Sequence, residues 1–424
     1  MKLLHLADLH LDSPFVGLSK HLQAIQDQLI QAPYQAFERA VSVAINRQVD
    51  VVLIAGDVYN ADRPSIYAQH FFLKQLDRLH QAQIPVVFSH GNHDYIKSDK
   101  YHLNLPENTH VFEDDQVTYF DLDLSNGEQA RIYGFSYTSR WIHDRKVQEF
   151  PVNPQITDYT IGMLHGSEES IESEKGAYAP FTVAELVNKH YDYWALGHIH
   201  QAGVLNQAPL IQYAGTSQGR HRNESGDKGA YIVTLSPNQP ADNEFVSLAE
   251  ILFKDSQIQC QEDWTLDKLL EALESTVTSY KEEGQARGQA YLLSIELKDL
   301  DLLDADVIDR VEAGELNNML TTLQDLSDPF VAILEITYQM NPALNVFDYD
   351  VQLKESFQDA LDFVQEADHY QAIMADFFGH PLVQTRLNHL RQDQELKERI
   401  YQEARTYLLR QFGLERKEGK LNED

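Results

Sequence analysis

Five short polar signatures punctuate the first 200 residues, each directly after or near an apolar, strand-like run. They are Asp8-Leu9-His10, Gly56-Asp57, Gly91-Asn92-His93-Asp94, Leu164-His165-Gly166 and Gly197-His198-Ile199-His200. The runs occupy residues 2–7, 51–55, 85–89, 159–164 and 191–196, and are mostly rich in branched or aromatic side chains. Helical spacing of apolar residues fills 33–48 and 65–83, the second through Tyr67, Phe71, Phe72, Leu76 and Leu79, with Ser65 after Pro64 as its cap. Strand alternating with helix predicts an α/β sandwich whose strand ends converge on one edge, the place where open α/β folds bind ligands.

Taken singly, each signature has an ordinary structural explanation. Asp57 after Gly56 reads as a turn or cap, because a short carboxylate bonds nearby backbone N–H groups. A lone buried histidine such as His165 is commonly a core residue satisfied by one hydrogen bond. His198 and His200, two apart, share a face in an extended strand or turn inward together in a tight loop. Conjunction overrides these explanations, since ligand-type residues recur at the ends of strand after strand. Carboxylate and amide oxygens mixed with imidazoles, and no thiolate, suit Mn²⁺, Fe²⁺ or Zn²⁺ in a two-metal hydrolytic centre acting on phosphate esters.

The ordered motifs Asp-x-His, Gly-Asp, Gly-Asn-His-Asp, His and Gly-His-x-His resemble the calcineurin-like metallophosphoesterases over about the first 235 residues. Residues 4–12, Gly56-Asp57-Val58-Tyr59 and the run 84–87 leading into Gly91-Asn92-His93-Asp94 are similar to SbcD-type DNA repair nucleases. Residues 213–220 and 224–229 resemble the YhaO branch of bacterial DNA repair exonucleases. The Arg-Gly after Gly-Asp and the Glu closing the third motif, marks of serine/threonine phosphatases, are missing.

The resemblance implies a fold of two mixed β-sheets flanked by helices, followed by a smaller α/β capping domain and a helical C-terminal segment. It implies two divalent metal ions, Mn²⁺ first, with Asp8, His10 and His200 on one and Asn92, His165 and His198 on the other, bridged by Asp57. His93 becomes the acid that protonates the leaving oxygen, with Asp94 orienting its ring. His90 is a candidate substrate contact, and Arg220, His221 and Arg222, with Lys228, are candidates for DNA phosphates or else a solvated charged loop. His5 and the remaining histidines read as packing or surface residues. By the same resemblance the chain dimerises and works with an SbcC- or YhaN-like ATPase.

Charge is the dissonant feature. The formal net charge is −32, opposite to a DNA-binding footprint. Acidic and basic side chains number 28 and 18 in residues 1–240, but 30 and 8 in residues 241–390, so the excess lies mainly beyond the motifs. A more basic partner is therefore expected to supply much of the DNA affinity. Cys260, the single cysteine, excludes an internal disulfide and fits a reducing cytoplasm. No apolar run approaches the roughly 20 residues that cross a bilayer, and the strand at the N-terminus leaves no room for a signal peptide.

The expected organisation is a nuclease domain at 1–240, a capping domain at 241–345 and a helical segment at 346–424, a candidate for docking the ATPase. The middle part reads as strands at 245–252, 290–297 and 330–338 with helices at 266–280 and 305–323. Gly379 and Pro381 divide the last segment. Its second half carries a stripe through Val383, Leu387, Leu390, Leu396, Ile400, Ala404 and Leu408. The expected function is a metal-dependent DNA exonuclease in double-strand-break repair. Two alternatives are a small-molecule or nucleotide phosphodiesterase on the same fold, and a weakly active regulatory subunit that binds the ATPase.

Overall fold

The computed structural model describes residues 1–13, 20–97, 104–170, 178–237, 239–262, 264–340, 351–365, 367–380, 383, 388–391, 393–394, 396–401 and 404. Expectations for Pro381, Leu387 and Leu408 lie outside the described residues.

Two six-stranded mixed sheets form the core. The first contains β1 (Lys2–Leu6), β2 (Val51–Ala55), β3 (Val86–Ser89) and β4 (Thr109–Val111), parallel in that order, with two further strands beyond β1, each antiparallel to the strand before it. The second sheet is assembled from β5 (Thr118–Asp123), β6 (Gln129–Gly134), β7 (Tyr159–His165), β8 (Tyr193–Gly197), β9 (Gly203–Gln207) and β10 (Leu210–Tyr213), in the order β5-β6-β7-β8-β10-β9. β11 (Gly229–Thr234) and β12 (Asp242–Ser247) complete the first sheet. Period-two alternation explains the sandwich. Leu3, Val51, Leu53 and Val87 face Ile132, Ile161, Met163 and Ala195 of the other sheet, while Leu4, Val52, Ile54 and Phe88 turn to the helices.

Those helices are α1 (Gln26–Arg47) and α2 (Ile66–Gln81). Ser65 caps α2 as the sequence predicts, its hydroxyl accepting the Ala68 N–H at 3.1 Å. α1 begins seven residues before the expected start and runs through Pro33, because Leu29 and Ala32 are buried and give the added turns an apolar footing. The outer face of the second sheet packs Leu164, Trp194, Leu196 and Tyr213 against Phe181 and Leu186.

The chain resolves into two compact units. One comprises Met1–Ser256, Leu270–Ile295 and Leu316–Ile336, and the other Gln257–Leu269, Glu296–Glu315 and Thr337–Asp424. A third sheet has the order β13 (Ile251–Gln259), β14 (Ala290–Lys298), β15 (Val331–Tyr338). The strand expected at 245–252 is a correction: it straddles the end of β12 and the start of β13, which are separated at 248–250. The helix expected over 305–323 is three short ones, Ala305–Glu312, Glu315–Asn318 and Leu320–Leu323. Gly314 at φ +78 stops the first of them, since a left-handed backbone ends an α-helix. Helices Val351–Gln365, Ala367–Ile373 and Ala375–Gly379 make the later segment helical, and Gly379 ends one of them. Among the described residues no helix is long and apolar enough to cross a membrane.

Candidate metal centre

Parallel strands deliver the five signatures to one edge. β1 leads into Asp8 and His10, β2 into Asp57, β3 into Asn92 and His93, β7 ends at His165, and β8 leads into His198 and His200. The loops bend sharply to turn these side chains inward. Asp8, His10, Asp57 and His198 have φ of 50, 45, 50 and 99, left-handed values that cost non-glycine residues roughly 1–3 kcal/mol each and that cluster at functional sites. Backbone bonds hold the bends: Asp8 N–H donates to Gly56 O at 3.1 Å and His10 N–H to Asp57 O at 3.0 Å.

Space explains two of the glycines. A Cβ on Gly91 would sit 2.3 Å from Asp57 Oδ1 and 2.7 Å from His165 Nε2, inside the cluster. At Gly56 the backbone is left-handed, φ +85, and a Cβ would lie 2.2 Å from the His165 ring.

The polar atoms that converge here are mostly acceptors. His165 Nδ1 lies 3.0 Å from the Ala55 carbonyl, which only accepts, so that nitrogen carries the proton and Nε2 presents a lone pair. That lone pair faces Asn92 Oδ1 at 2.9 Å and Asp57 Oδ2 at 3.5 Å. Asn92 Oδ1 also meets His198 Nδ1 at 3.1 Å. On the other side His10 Nε2 and His200 Nε2 are 3.0 Å apart, and His10 Nε2 is 3.7 Å from Asp57 Oδ2. The buried His10 Nδ1 has no hydrogen-bond partner. Acceptors aimed at acceptors inside a protein are repulsive unless a cation lies between them. Asp8, His10 and His200 offer ligand atoms within 4.8 Å of one another, and so do Asp8, Asp57 and His165. The donor set therefore fits divalent cations, with Asp8 common to both groupings and Asp57 between His10 and His165.

Protonation follows the same crowding. Burial, then the neighbouring Asp57 charge, raises the Asp8 carboxyl well above its usual range. Burial, then Asp94, pushes Asp57 up to about 6. Burial keeps His10 and His165 neutral far below their ordinary value, His10 helped by the Arg220 charge and His165 by His198. Neutral imidazoles are the form that ligates.

His93 lies at the rim. Its ring stands 4.9 Å edge-on from His10, its N–H donates to Asp57 Oδ1 at 2.9 Å, and its Nδ1 is 3.2 Å from the Asn60 carbonyl. Asp94 is fully buried beneath the loop, where its carboxylate accepts the N–H of Gly91 at 2.7 Å and of Tyr59 at 3.3 Å and faces His90 Nδ1 at 3.3 Å. His5 is buried against the Tyr193 hydroxyl at 2.7 Å.

One residue escaped the sequence reading of the site. Glu224 is nearly buried, and its Oε1 accepts from His200 Nδ1 at 2.6 Å and from the Arg220 guanidinium at 3.0 Å. Burial works to raise its carboxyl, yet the His200 bond and the Arg220 charge prevail and hold it below the usual range. Arg220 also donates to Asn60 Oδ1 at 3.0 Å, which ties the His200 side of the cluster to the residue that touches His93. The signals in the sequence were that Glu224 opens the run 224–229 that resembles the YhaO branch and is the first acid after the histidine pair, set near Arg220, His221 and Arg222.

Of the other candidate substrate contacts, Arg220 is thus turned inward. His221 is mostly exposed, with its ring 3.3 Å from Glu224. Arg222 is half-exposed and pairs with Glu335. Lys228 is buried, its Nζ 3.4 Å from Gln201 Oε1.

The family described as calcineurin-like phosphoesterase matches residues 1–202. The chain is 33% identical to the uncharacterized metallophosphoesterase YhaO of Bacillus subtilis, over 66% of this chain and 68% of that one. It is 26% identical to the DNA double-strand break repair protein Mre11 of Sulfolobus acidocaldarius, over 73% and 78%. It is also 26% identical to a component of the SbcCD nuclease of Staphylococcus epidermidis, over 58% and 70%.

Proposed function

This chain belongs to the calcineurin-like metallophosphoesterases, and from that premise we propose that it is a Mn²⁺-dependent DNA exonuclease that hydrolyses phosphodiester bonds at broken ends, in concert with an SbcC- or YhaN-like ATPase. The convergence of Asp8, Asp57 and His165 ligand atoms, beside the adjoining group of Asp8, His10 and His200, carries the reading. Relatives named as repair nucleases support the choice of DNA. Residues 1–240 act as the nuclease domain, 241–345 as a cap and 346–424 as the docking segment, in the cytoplasm.

In this reading Asp8, His10 and His200 would hold one cation and Asn92, His165 and His198 the other, with Asp57 shared between them. When bound, such a pair supplies Lewis acidity and makes water a nucleophile near neutral pH. The protein's own residues do the rest. Ala55 and Glu224 fix the tautomers of His165 and His200, leaving each Nε2 free to ligate. The Asn60 carbonyl requires a proton on His93 Nδ1, which leaves Nε2 to face the leaving oxygen; a ring carrying both protons would donate from Nε2. Purified protein with Mn²⁺ and end-labelled duplex tests the proposal: stepwise shortening that stops with EDTA supports it. Turnover of bis(p-nitrophenyl) phosphate with intact DNA favours instead the small-molecule phosphodiesterase, the reading that the net charge of −32 recommends.

Two predictions arise from the ligand environment. Glu224→Ala is expected to weaken Mn²⁺ binding about 10- to 100-fold in calorimetric titration, with Glu224→Gln less affected because it still accepts from His200. Metal affinity is also expected to rise with pH. A carboxyl raised in the folded state binds its proton more tightly there than when unfolded, so it stabilises the metal-free fold at low pH and that stability is lost as pH climbs through about 6 at Asp57. Metal must displace that proton below this point, so titrations at pH 5 and 6 should differ by about tenfold per proton released and level off above pH 7. A flat profile contradicts the assignment.

A further inference from the structure

An aromatic ladder leads outward from the candidate metal centre. The Tyr178 ring lies 4.6 Å from that of His198, inclined by 42°. Trp141 stacks on Tyr178, with centroids 5.1 Å apart and planes within 25°. The far end is open: Trp141 is 47% exposed, and the Arg140 guanidinium lies 5.4 Å from its ring. An isolated exposed aromatic needs no explanation. This one is built into place. Tyr178 O accepts the Ser167 N–H at 2.8 Å and Ala179 N–H donates to Ile142 O at 2.7 Å, so the backbones carrying both rings are tied to the sheet end and to each other. Ser139 Oγ donates to Trp141 O at 2.7 Å and braces the turn.

We propose that Trp141, backed by Tyr178, is a stacking platform for a nucleobase near the scissile phosphate, with the Arg140 guanidinium, which lies over the Trp141 ring, free to swing to the adjoining backbone phosphate as the base takes its place. The inference rests on the nuclease reading and adds to it the part of the substrate that is recognised. Tyr178 lies between Trp141 and His198, with ring spacings of 5.1 and 4.6 Å, so a base on the platform lies within about two nucleotides of the ligand cluster. Every base has a π-face, so the platform favours nucleic acid over simple diesters without selecting sequence. It also supplies binding that the acidic surface does not.

The test compares single-stranded oligonucleotides that differ only by an abasic tetrahydrofuran unit on the 5′ or the 3′ side of the scissile bond, with bis(p-nitrophenyl) phosphate in parallel. Wild-type kcat/KM is expected to fall about tenfold on one abasic substrate, mainly through KM. In Trp141→Ala that ratio should collapse toward one, and in Trp141→Phe it should persist. A wild-type ratio near one on both substrates, or the same ratio in Trp141→Ala, overturns the platform alone. If wild type leaves the single strands intact but shortens end-labelled duplex, the platform alone is overturned; if it turns over only bis(p-nitrophenyl) phosphate and leaves duplex intact as well, the nuclease reading falls and the platform with it.

Discussion

Asp57→Asn is expected to lose Mn²⁺ binding by more than about a hundredfold and turnover below detection, the largest effect of any single change. The Asp57 carboxylate stands between the two halves of the cluster, with Oδ2 at 3.7 Å from His10 Nε2 and 3.5 Å from His165 Nε2. Its charge is what allows two dications to approach, and an amide supplies none. The same variant is expected to be more stable than wild type in EDTA at pH 7 to 8. There the wild-type fold bears the buried charge that pushes Asp57 up to about 6, and removing it returns on the order of 1–3 kcal/mol. Thermal unfolding with and without Mn²⁺ reads both effects. The metal should raise the wild-type midpoint and leave the variant's unchanged. A variant that binds Mn²⁺ normally would remove Asp57 from the centre.

His93→Ala should separate binding from chemistry. The ring touches the cluster only edge-on at His10 and offers its Nδ1 to the Asn60 carbonyl, so neither group of ligand atoms depends on it. The loop is held by Asp94 through the Gly91 and Tyr59 N–H groups, and that support remains. Metal affinity is therefore expected to stay within a few-fold of wild type while kcat falls about 10²- to 10⁴-fold on a poor leaving group. A p-nitrophenolate leaving group needs little protonation, so bis(p-nitrophenyl) phosphate should lose far less than DNA. Parallel losses of metal and activity would recast His93 as a structural residue.

The strand-and-loop logic was legible in the sequence because its signals are local. β1, β2, β3 and β7 follow apolar runs, Ser65 caps α2, and the loop residues after the strands come together as the alternation of strand and helix implies. Several strands were not legible. β5 and β9 are exposed edges with little apolar content, and β12 and β13 run on through a short interruption that no glycine or proline marks. The loops' left-handed bends at Asp8, His10 and His198 carry no glycine, so the backbone that aims these side chains could not be read ahead of the structure. Glu224 was missed for a different reason. Its partners His200 and Arg220 identify it only through contact, and a single acid in a charged stretch looks like solvated surface.

Anomalous diffraction from crystals soaked in Mn²⁺ would decide whether the cluster is a two-metal centre. Two manganese peaks are expected, roughly 3.5–4 Å apart. One should lie against Asp8, His10 and His200 and the other against Asn92, His165 and His198, with Asp57 touching both. No peak at this cluster, or one that leaves Asp57 uncoordinated, would contradict the assignment.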